Sequence, residues 1–388
     1  MAQGAKFCAA NVHVTGSVFV SQGRKPLRRI GILTGGGDCP GLNAVIRAVT
    51  KPAIMKLDLD VVGIEDGFLG LIRNRMRPLG LDDVSNILTV GGTILGTSNT
   101  ANPQRFPVGK GDDGKTIYED VTKRVVEHVH EQELDLIVCI GGDGTMSGAS
   151  HLIRNGIPCV GVPKTIDNDL MHSDITFGFT TAVETATEAL DRIHSTASSH
   201  HRIMLVELMG RNAGWLTMHA GLAAGADIIL IPEIPYDFNI ITEACIQRSR
   251  RGKRFTIIAV SEGAKPKGGK QTTQRIVADS PDPVRLGGIS QILADEIQTA
   301  TSLETRWVML GHVQRGGTPC AFDRVLATRF GHKAIQLAAM YEWNQLVVMH
   351  EGQTTTVPIE SVANKQRTVD LDDPLVAMAR ALGTCMGD

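Results

Sequence analysis

Residues 136–154 read Leu-Ile-Val-Cys-Ile-Gly-Gly-Asp-Gly-Thr-Met-Ser-Gly-Ala-Ser-His-Leu-Ile-Arg. The apolar run Leu136–Ile140 has the length and β-branched content of a strand buried on both faces. Gly141 and Gly142 end it, and Met146–Arg154 continues at helical spacing. A strand feeding a helix through a glycine turn is the repeating unit of a parallel α/β sheet. Outward from this stretch the same order recurs. Arg29–Thr34 is a strand ending in Gly35-Gly36-Gly37, followed by a helix over Leu42–Lys56, and Asp60–Ile64 is another strand. Cys159–Val162 is a strand closed by Pro163; Thr180–Ser198 is a long helix leading into a strand over Arg202–Leu208. Asp227–Ile231, Phe255–Val260 and Thr305–Leu310 read as further buried strands. The fold class is α/β with mainly parallel sheets. In such sheets ligands gather at the carboxyl ends of strands, where Gly36, Asp143, Asp167, Gly210, Glu262 and His312 fall.

A chain of 388 residues is long for one domain and fits two. With 42% hydrophobic but only 4% aromatic residues, its core must be aliphatic. A net charge of −2 gives no electrostatic footprint for nucleic acid. No apolar run reaches the ~20 residues of a bilayer span. The seven cysteines are scattered, odd in number and without a Cys-x-x-Cys pair, which reads as reduced thiols in a cytoplasmic protein. Near the N-terminus no signal-peptide pattern emerges, and the alternation over Val12–Val20 fits either an extra edge strand or a mobile arm. Asn102–Asp113 and Lys265–Gln274 read as surface loops.

Gly109–Thr116, G-K-G-D-D-G-K-T, matches the P-loop pattern but not its context. Pro103 and Pro107 precede it where a central strand is needed, and Asp112 and Asp113 would face the phosphates. A solvated loop before a helix over Tyr118–Glu131 is the better reading.

Three turns carry chemistry instead. Gly35-Gly36-Gly37 opens a helix, so unhindered backbone N–H groups face whatever lies above the strand end. Gly141–Thr145 repeats the device and adds Asp143, suited to holding Mg²⁺ directly or through water, or, more simply, to capping the helix. The same G-G-D-G-T occurs in NAD kinases and diacylglycerol kinases, so alone it says phosphoryl transfer without an acceptor. The third turn, Lys164-Thr165-Ile166-Asp167-Asn168-Asp169, sets two carboxylates two residues apart beside a lysine. Phosphoryl transfer to an alcohol needs a group to take the hydroxyl proton and cations to hold the moving charge.

In order, T-G-G-G-D-C-P-G-L-N (34–43), G-G-T-I-L-G (91–96), I-G-G-D-G-T (140–145), P-K-T-I-D-N-D (163–169), M-G-R-N-A-G-W (209–215) and L-G-H-V-Q-R-G-G (310–317) resemble the phosphofructokinase family from about Arg29 to about Ala339. The resemblance implies two similar Rossmann-like domains: residues 29–178 with about 314–363 for the phosphoryl donor, and 179–313 with about 364–388 for fructose 6-phosphate, after an extension over 1–28. It implies Asp167 as the general base, Asp143 as the Mg²⁺ ligand, and Asp169 as support for metal or base. Gly36, Gly37, Gly142, Gly144 and Thr145 would line the donor site with Asp143. Thr165 would touch both sugar and transferred phosphate, with Lys164 beside it. Arg211 would stabilise the moving phosphoryl group, after Met209 and Gly210 at the sugar, and Glu262 would hold sugar hydroxyls. Arg202, Arg306, His312 and Arg315 would be sugar-phosphate ligands, the first two reaching into a neighbouring subunit of a homodimer or homotetramer.

The resemblance implies ATP or pyrophosphate as the donor. Gly144 leaves room for an α-phosphate, whereas Lys164 and the absence of an arginine at Asn99 resemble pyrophosphate users. Exclusion outweighs attraction, because a carboxylate overlapping a phosphate costs more than one added cation gains; ATP is the expectation, with Arg105 a possible substitute for the missing arginine. A dehydrogenase reading lacks a clean G-x-G-x-x-G, and a silent regulatory subunit would lack Asp143 or Asp167, both present. Arg47, Arg75, Lys253 and Arg254 resemble parts of the family's cationic effector cluster, with His194 where an arginine is usual.

Overall fold

The structure, a computed structural model, describes residues 25–112, 114–276 and 284–388. The Val12–Val20 expectation lies outside these. Seven strands form one sheet in the spatial order Gln353–Pro358, Gln345–His350, Cys159–Pro163, Leu136–Gly141, Arg29–Thr34, Asp60–Ile64, Met76–Pro78. All neighbours pair in parallel except the two outermost strands, which are antiparallel. A second sheet runs Thr305–Met309, Ile203–Leu208, Thr256–Ser261, Ile228–Leu230, wholly parallel. The central strands are buried along their whole length and mostly apolar because helices cover both faces; the one charge among them, Glu207, is taken up by Gly288 and Ser290.

Helices Leu42–Leu57 and Ala321–Ala339 pack against each other beneath the larger sheet, and Phe177 and Phe330 are the largest fully buried side chains among the described residues. The four-stranded sheet is flanked by Phe179–His200, Trp215–Ala223, Phe238–Arg250 and Ile289–Thr301. Among the described residues no disulfide forms: Cys39, Cys139, Cys159, Cys245, Cys320 and Cys385 are free thiols. No helix there is long and apolar enough to cross a membrane.

Three expectations change. Thr305–Met309, expected as a buried strand, is the edge of the four-stranded sheet, with Arg306 and Trp307 exposed. Tyr118 lies in a strand, Thr116–Glu119, paired antiparallel with Phe106–Lys110 inside the expected loop. Pro107 is tolerated because this is an isolated hairpin. The helix begins at Thr122, whose N–H donates to Asp120 Oδ1 (2.9 Å), a start signal that the apolar spacing alone did not mark. Likewise the Lys265–Gln274 loop gives way at Thr273 to a strand, Thr273–Ile276, paired with Val284–Leu286.

Candidate functional site

The chain leaves Arg29–Thr34 toward Asp60–Ile64 on one side and later returns as Leu136–Gly141 on the other. The connections therefore diverge at the carboxyl ends of this pair and open a crevice there. Both glycine turns sit at that crevice, tied by Gly35 N–H donating to Ile140 O (2.9 Å). Gly36 has φ 75°, a left-handed conformation that side chains resist. Three successive carbonyls of the first turn are held by side chains from elsewhere. Thr97 Oγ1 donates to Gly36 O (2.6 Å), Lys164 Nζ to Gly37 O, and Arg315 Nη1 to Asp38 O (3.2 Å). The second turn starts the helix Asp143–Arg154. Its N-cap is Gly142, with no side-chain cap bond, so the carboxylate of Asp143 is not taken up by capping. Gly144 opens onto space: a Cβ there would meet nothing within 4 Å. Thr145, by contrast, is buried beneath Gly35.

The acidic turn follows the next strand, Cys159–Pro163, and Lys164, Thr165, Asp167, Asn168 and Asp169 are all buried. It is held internally. Thr165 Oγ1 accepts from Asp167 N–H (3.0 Å), Thr176 Oγ1 donates to Thr165 O (2.8 Å), and Asn168 Oδ1 accepts from Thr176 N–H (3.0 Å). Burial, then the charges of Asp167 and Asp143, push the Asp169 carboxyl up to about 7. Burial likewise pushes the Lys164 ammonium down, opposed by Cys39 and Asp167. Asp167 Oδ1 is buried with no hydrogen-bond partner in the chain, the kind of orphan that a ligand proton or a cation satisfies.

The second sheet supplies the facing wall. Met209, Gly210 and Arg211 follow Ile203–Leu208, with Gly210 at φ 135° and Arg211 at φ 51°. Arg211 N–H donates to Glu262 Oε1 (3.1 Å), just beyond the neighbouring strand Thr256–Ser261. Glu262 is pushed up to about 7 by burial and then by Asp167, so the two sheets' carboxylates share one cleft. His312 and Arg315 lie in the 3-10 turn Gly311–Arg315 after the third strand. Buried Gln314 pins that turn, accepting from Met209 N–H (3.4 Å) and donating to Gly311 O (3.0 Å). Arg315 crosses to the first glycine turn, where a Cβ on Gly37 would stand 2.6 Å from its Nη1.

Arg202 and Arg306 are not brought into this cluster. Arg202 precedes the Ile203–Leu208 strand and Arg306 is in register with Met204, so both lie at the amino-terminal edge of the sheet, roughly 15 Å or more along the strand from Arg211. Both guanidinium groups pair with Glu304 Oε1 at 2.8 Å. Arg105 stacks 3.9 Å over the Tyr118 ring. In the effector-like set, Arg75 pairs with Asp66, while Lys253 and Arg254 line a cavity of about 500 Å³ with Asp227 and Arg248, far from the acidic turn in sequence and paired to each other (2.6 Å).

Residues outside the motifs also reach the site. Thr97 holds Gly36, and the segment Asn364–Arg367 crosses the acidic turn: Gln366 Nε2 donates to Asp169 Oδ2 (3.2 Å), Arg367 N–H to Asp169 O (2.7 Å), and Asn364 N–H to Ser147 Oγ (3.1 Å). No sequence signal places a segment 197 residues away beside Asp169.

A sequence model of the phosphofructokinase family matches residues 29–338. An ATP-dependent 6-phosphofructokinase 2 of Clostridium perfringens is 48% identical over 94% of this chain and 100% of its own. A pyrophosphate–fructose 6-phosphate 1-phosphotransferase of Amycolatopsis mediterranei is also 48% identical, over 89% of this chain and 97% of its own. Among solved structures, phosphofructokinase of Saccharomyces cerevisiae superposes with a TM-score of 0.70 at 30% identity, covering 86% of this chain, which spans 45% of the yeast chain. A pyrophosphate-dependent phosphofructokinase of Nitrosospira multiformis shares the fold at a TM-score of 0.75 and 16% identity.

Proposed function

Because this chain belongs to the phosphofructokinase family, we propose that it transfers a phosphoryl group from ATP to the 1-hydroxyl of fructose 6-phosphate, giving fructose 1,6-bisphosphate. The observation that carries the chemistry is Asp167: buried, beside Thr165, with one carboxylate oxygen unpartnered in the cleft between the two sheets. A sugar hydroxyl placed against that oxygen is hydrogen-bonded in the ground state and loses its proton to it as the phosphoryl group arrives. Arg211 faces the moving group, Glu262 the sugar hydroxyls, and His312 and Arg315 the sugar phosphate. The glycine turns hold the donor, with Thr145 packed beneath them as their support.

The residues fit Mg²⁺. Asp143, Asp167 and Asp169 feel one another's charge, and an orphan carboxylate oxygen lies among them. Mg²⁺ binds through one or two carboxylates plus donor phosphates and needs no dedicated cage. Asp143 would hold it with support from Asp169, and when bound it neutralises charge on the transferring phosphates.

Residues 29–178 with 314–363 are proposed as the donor unit and 179–313 with 364–388 as the sugar unit, in a cytoplasmic homodimer or homotetramer. A pyrophosphate donor is the second reading, favoured by the buried Lys164 bonded to Gly37 O and by the Amycolatopsis relative. Family membership displaces the NAD kinase and diacylglycerol kinase readings. The test is kinetic. Asp167→Ser should lower kcat by several orders of magnitude while fructose 6-phosphate still binds, since a proton acceptor acts mainly in the transition state. Retention of more than about a tenth of kcat would overturn the base assignment.

A further inference from the structure

Three side-chain amides run from the acidic turn of one sheet to the sugar-binding turn of the other. Gln366 Nε2 donates to Asp169 Oδ2 (3.2 Å), Asn212 Nδ2 to Gln366 Oε1 (3.4 Å), and Gln271 Nε2 to Asn212 Oδ1 (3.1 Å). Their orientation is forced by a backbone carbonyl, which only accepts: Gln271 must turn its NH₂ toward Gly263 O and Asn212 Oδ1, and Asn212 and Gln366 follow in turn. All donors therefore point the same way and polarise one another.

At the other end Gln271 also donates to Gly263 O (3.0 Å). Gly263 lies against the Arg211 carbonyl, so closely that a side chain there would collide with it, and Arg211 N–H is bonded to Glu262. The chain of amides thus closes around Arg211. Near Asp169 the backbone reinforces it: Gln366 bridges Leu170 in antiparallel fashion, and Arg367 N–H bonds Asp169 O. None of the three amides fills the core. Asn212 is exposed, and Gln366 and Gln271 are half-buried.

We propose that Gln366, acting through Asn212 and Gln271, is a positioning residue that fixes the acidic turn against the Arg211–Glu262 turn for phosphoryl transfer. This rests on the function proposed above. Asp167 and Asp169 hang from the seven-stranded sheet, and Arg211 and Glu262 from the four-stranded one. The transferring group must meet both walls at once, and a misplacement of ~1 Å costs about 10²-fold in rate. A register device between the walls should therefore act on kcat and leave sugar binding, which draws on His312 and Arg315, largely intact.

The experiment is steady-state kinetics of the full chain with fructose 6-phosphate, Mg²⁺ and each donor. Gln366→Leu is expected to lower kcat about 10- to 100-fold while KM for the sugar moves less than about threefold. Gln366→Glu, nearly isosteric but unable to donate, should lose as much. Asn212→Ala, at an exposed position, should reproduce much of the effect. The double variant Gln366→Leu/Asn212→Ala should be no slower than the slower single variant, because the amides act as one unit. Unchanged kcat in Gln366→Leu and Asn212→Ala, multiplicative losses in the double variant, or losses that track a lowered melting temperature would each overturn the proposal. An active wild type with fully active variants would remove this inference alone; a wild type inactive on fructose 6-phosphate would remove the proposed function and this inference with it.

Discussion

At Gly144 the missing side chain leaves the second glycine turn open, and nothing within 4 Å would obstruct a Cβ there. Gly144→Asp should therefore fold normally while setting a carboxylate where the donor's α-phosphate would lie. In a partly dry site that repulsion is ~2–4 kcal/mol, or roughly 30- to 1000-fold in kcat/KM for ATP. Pyrophosphate has no α-phosphate beyond that point, so its kcat/KM should fall far less; equal losses with both donors would remove the gate. Glu262 offers a test in stability instead. Its carboxyl is held at about 7 against an ordinary 4.5, first by burial and then by Asp167. Between those values the folded protein keeps a proton that the unfolded chain has released. The stability penalty thus grows as pH rises from about 4.5 to 7 and is complete above 7. Glu262→Gln keeps an oxygen for Arg211 N–H and removes the charge. It should raise the melting temperature at pH 8, by an amount on the order of 2 kcal/mol in free energy, and change it little near pH 4.5. An equal shift at both pH values would mean that ionisation is not the cause.

Helices Leu42–Leu57 and Ala321–Ala339 meet at Gly331, where a Cβ would stand 2.8 Å from Ala48 Cβ and 2.9 Å from Val45 O. Alanine is the better helix former by about 1 kcal/mol. The atoms it would strike are a helix backbone and a methyl group, neither of which can turn aside. Overpacking of this kind typically costs about 1–3 kcal/mol, so Gly331→Ala is expected to lower the melting temperature despite its higher helix propensity. A neutral or stabilising result would mean that the two helices slide freely. Elements like this separate what could be read in the sequence from what could not. The parallel strands Leu136–Gly141 and Cys159–Pro163 stand out because each is a short apolar run broken by Gly or Pro, whereas Met76–Pro78, Gln345–His350 and Gln353–Pro358 of the same sheet go unread. Thr116–Glu119 was hidden, since its alternation spans only four residues and its partner carries Pro107. Candidate site residues were legible where they follow strand ends, as Asp143, Asp167 and Glu262 do. Thr97 and Gln366 were not, because their places are set by long-range packing that leaves no local pattern.

Over the whole molecule, the residues expected to bind the sugar from the four-stranded sheet fall at two opposite edges of it. Met209, Gly210, Arg211, Glu262, His312 and Arg315 follow the carboxyl ends of its strands, whereas Arg202 and Arg306 lie at the amino-terminal edge on Glu304. Because the strands are parallel, no local bend brings one edge to the other. If these two arginines bind a sugar phosphate, they do so in a second copy of the chain. Glu304 is then a placeholder that a phosphate dianion displaces, since partly exposed ion pairs hold weakly, about 0–1 kcal/mol, and guanidinium groups grip phosphate with two parallel bonds. Complementation follows from this geometry. In Arg202→Ala the chain keeps Asp167 but fails its neighbour; in Asp167→Ser it serves its neighbour but lacks its own base. Each alone should be nearly inactive. Unfolded, mixed and reassembled as an isologous dimer, half of the molecules are hybrids with one site free of both lesions, which restores roughly a quarter of wild-type activity. The measurement is phosphoryl transfer after reassembly, with hybrid formation verified by a tag on one variant. Hybrids that form and stay inactive would mean that each site is completed within one chain, and that Arg202 serves only its pair with Glu304.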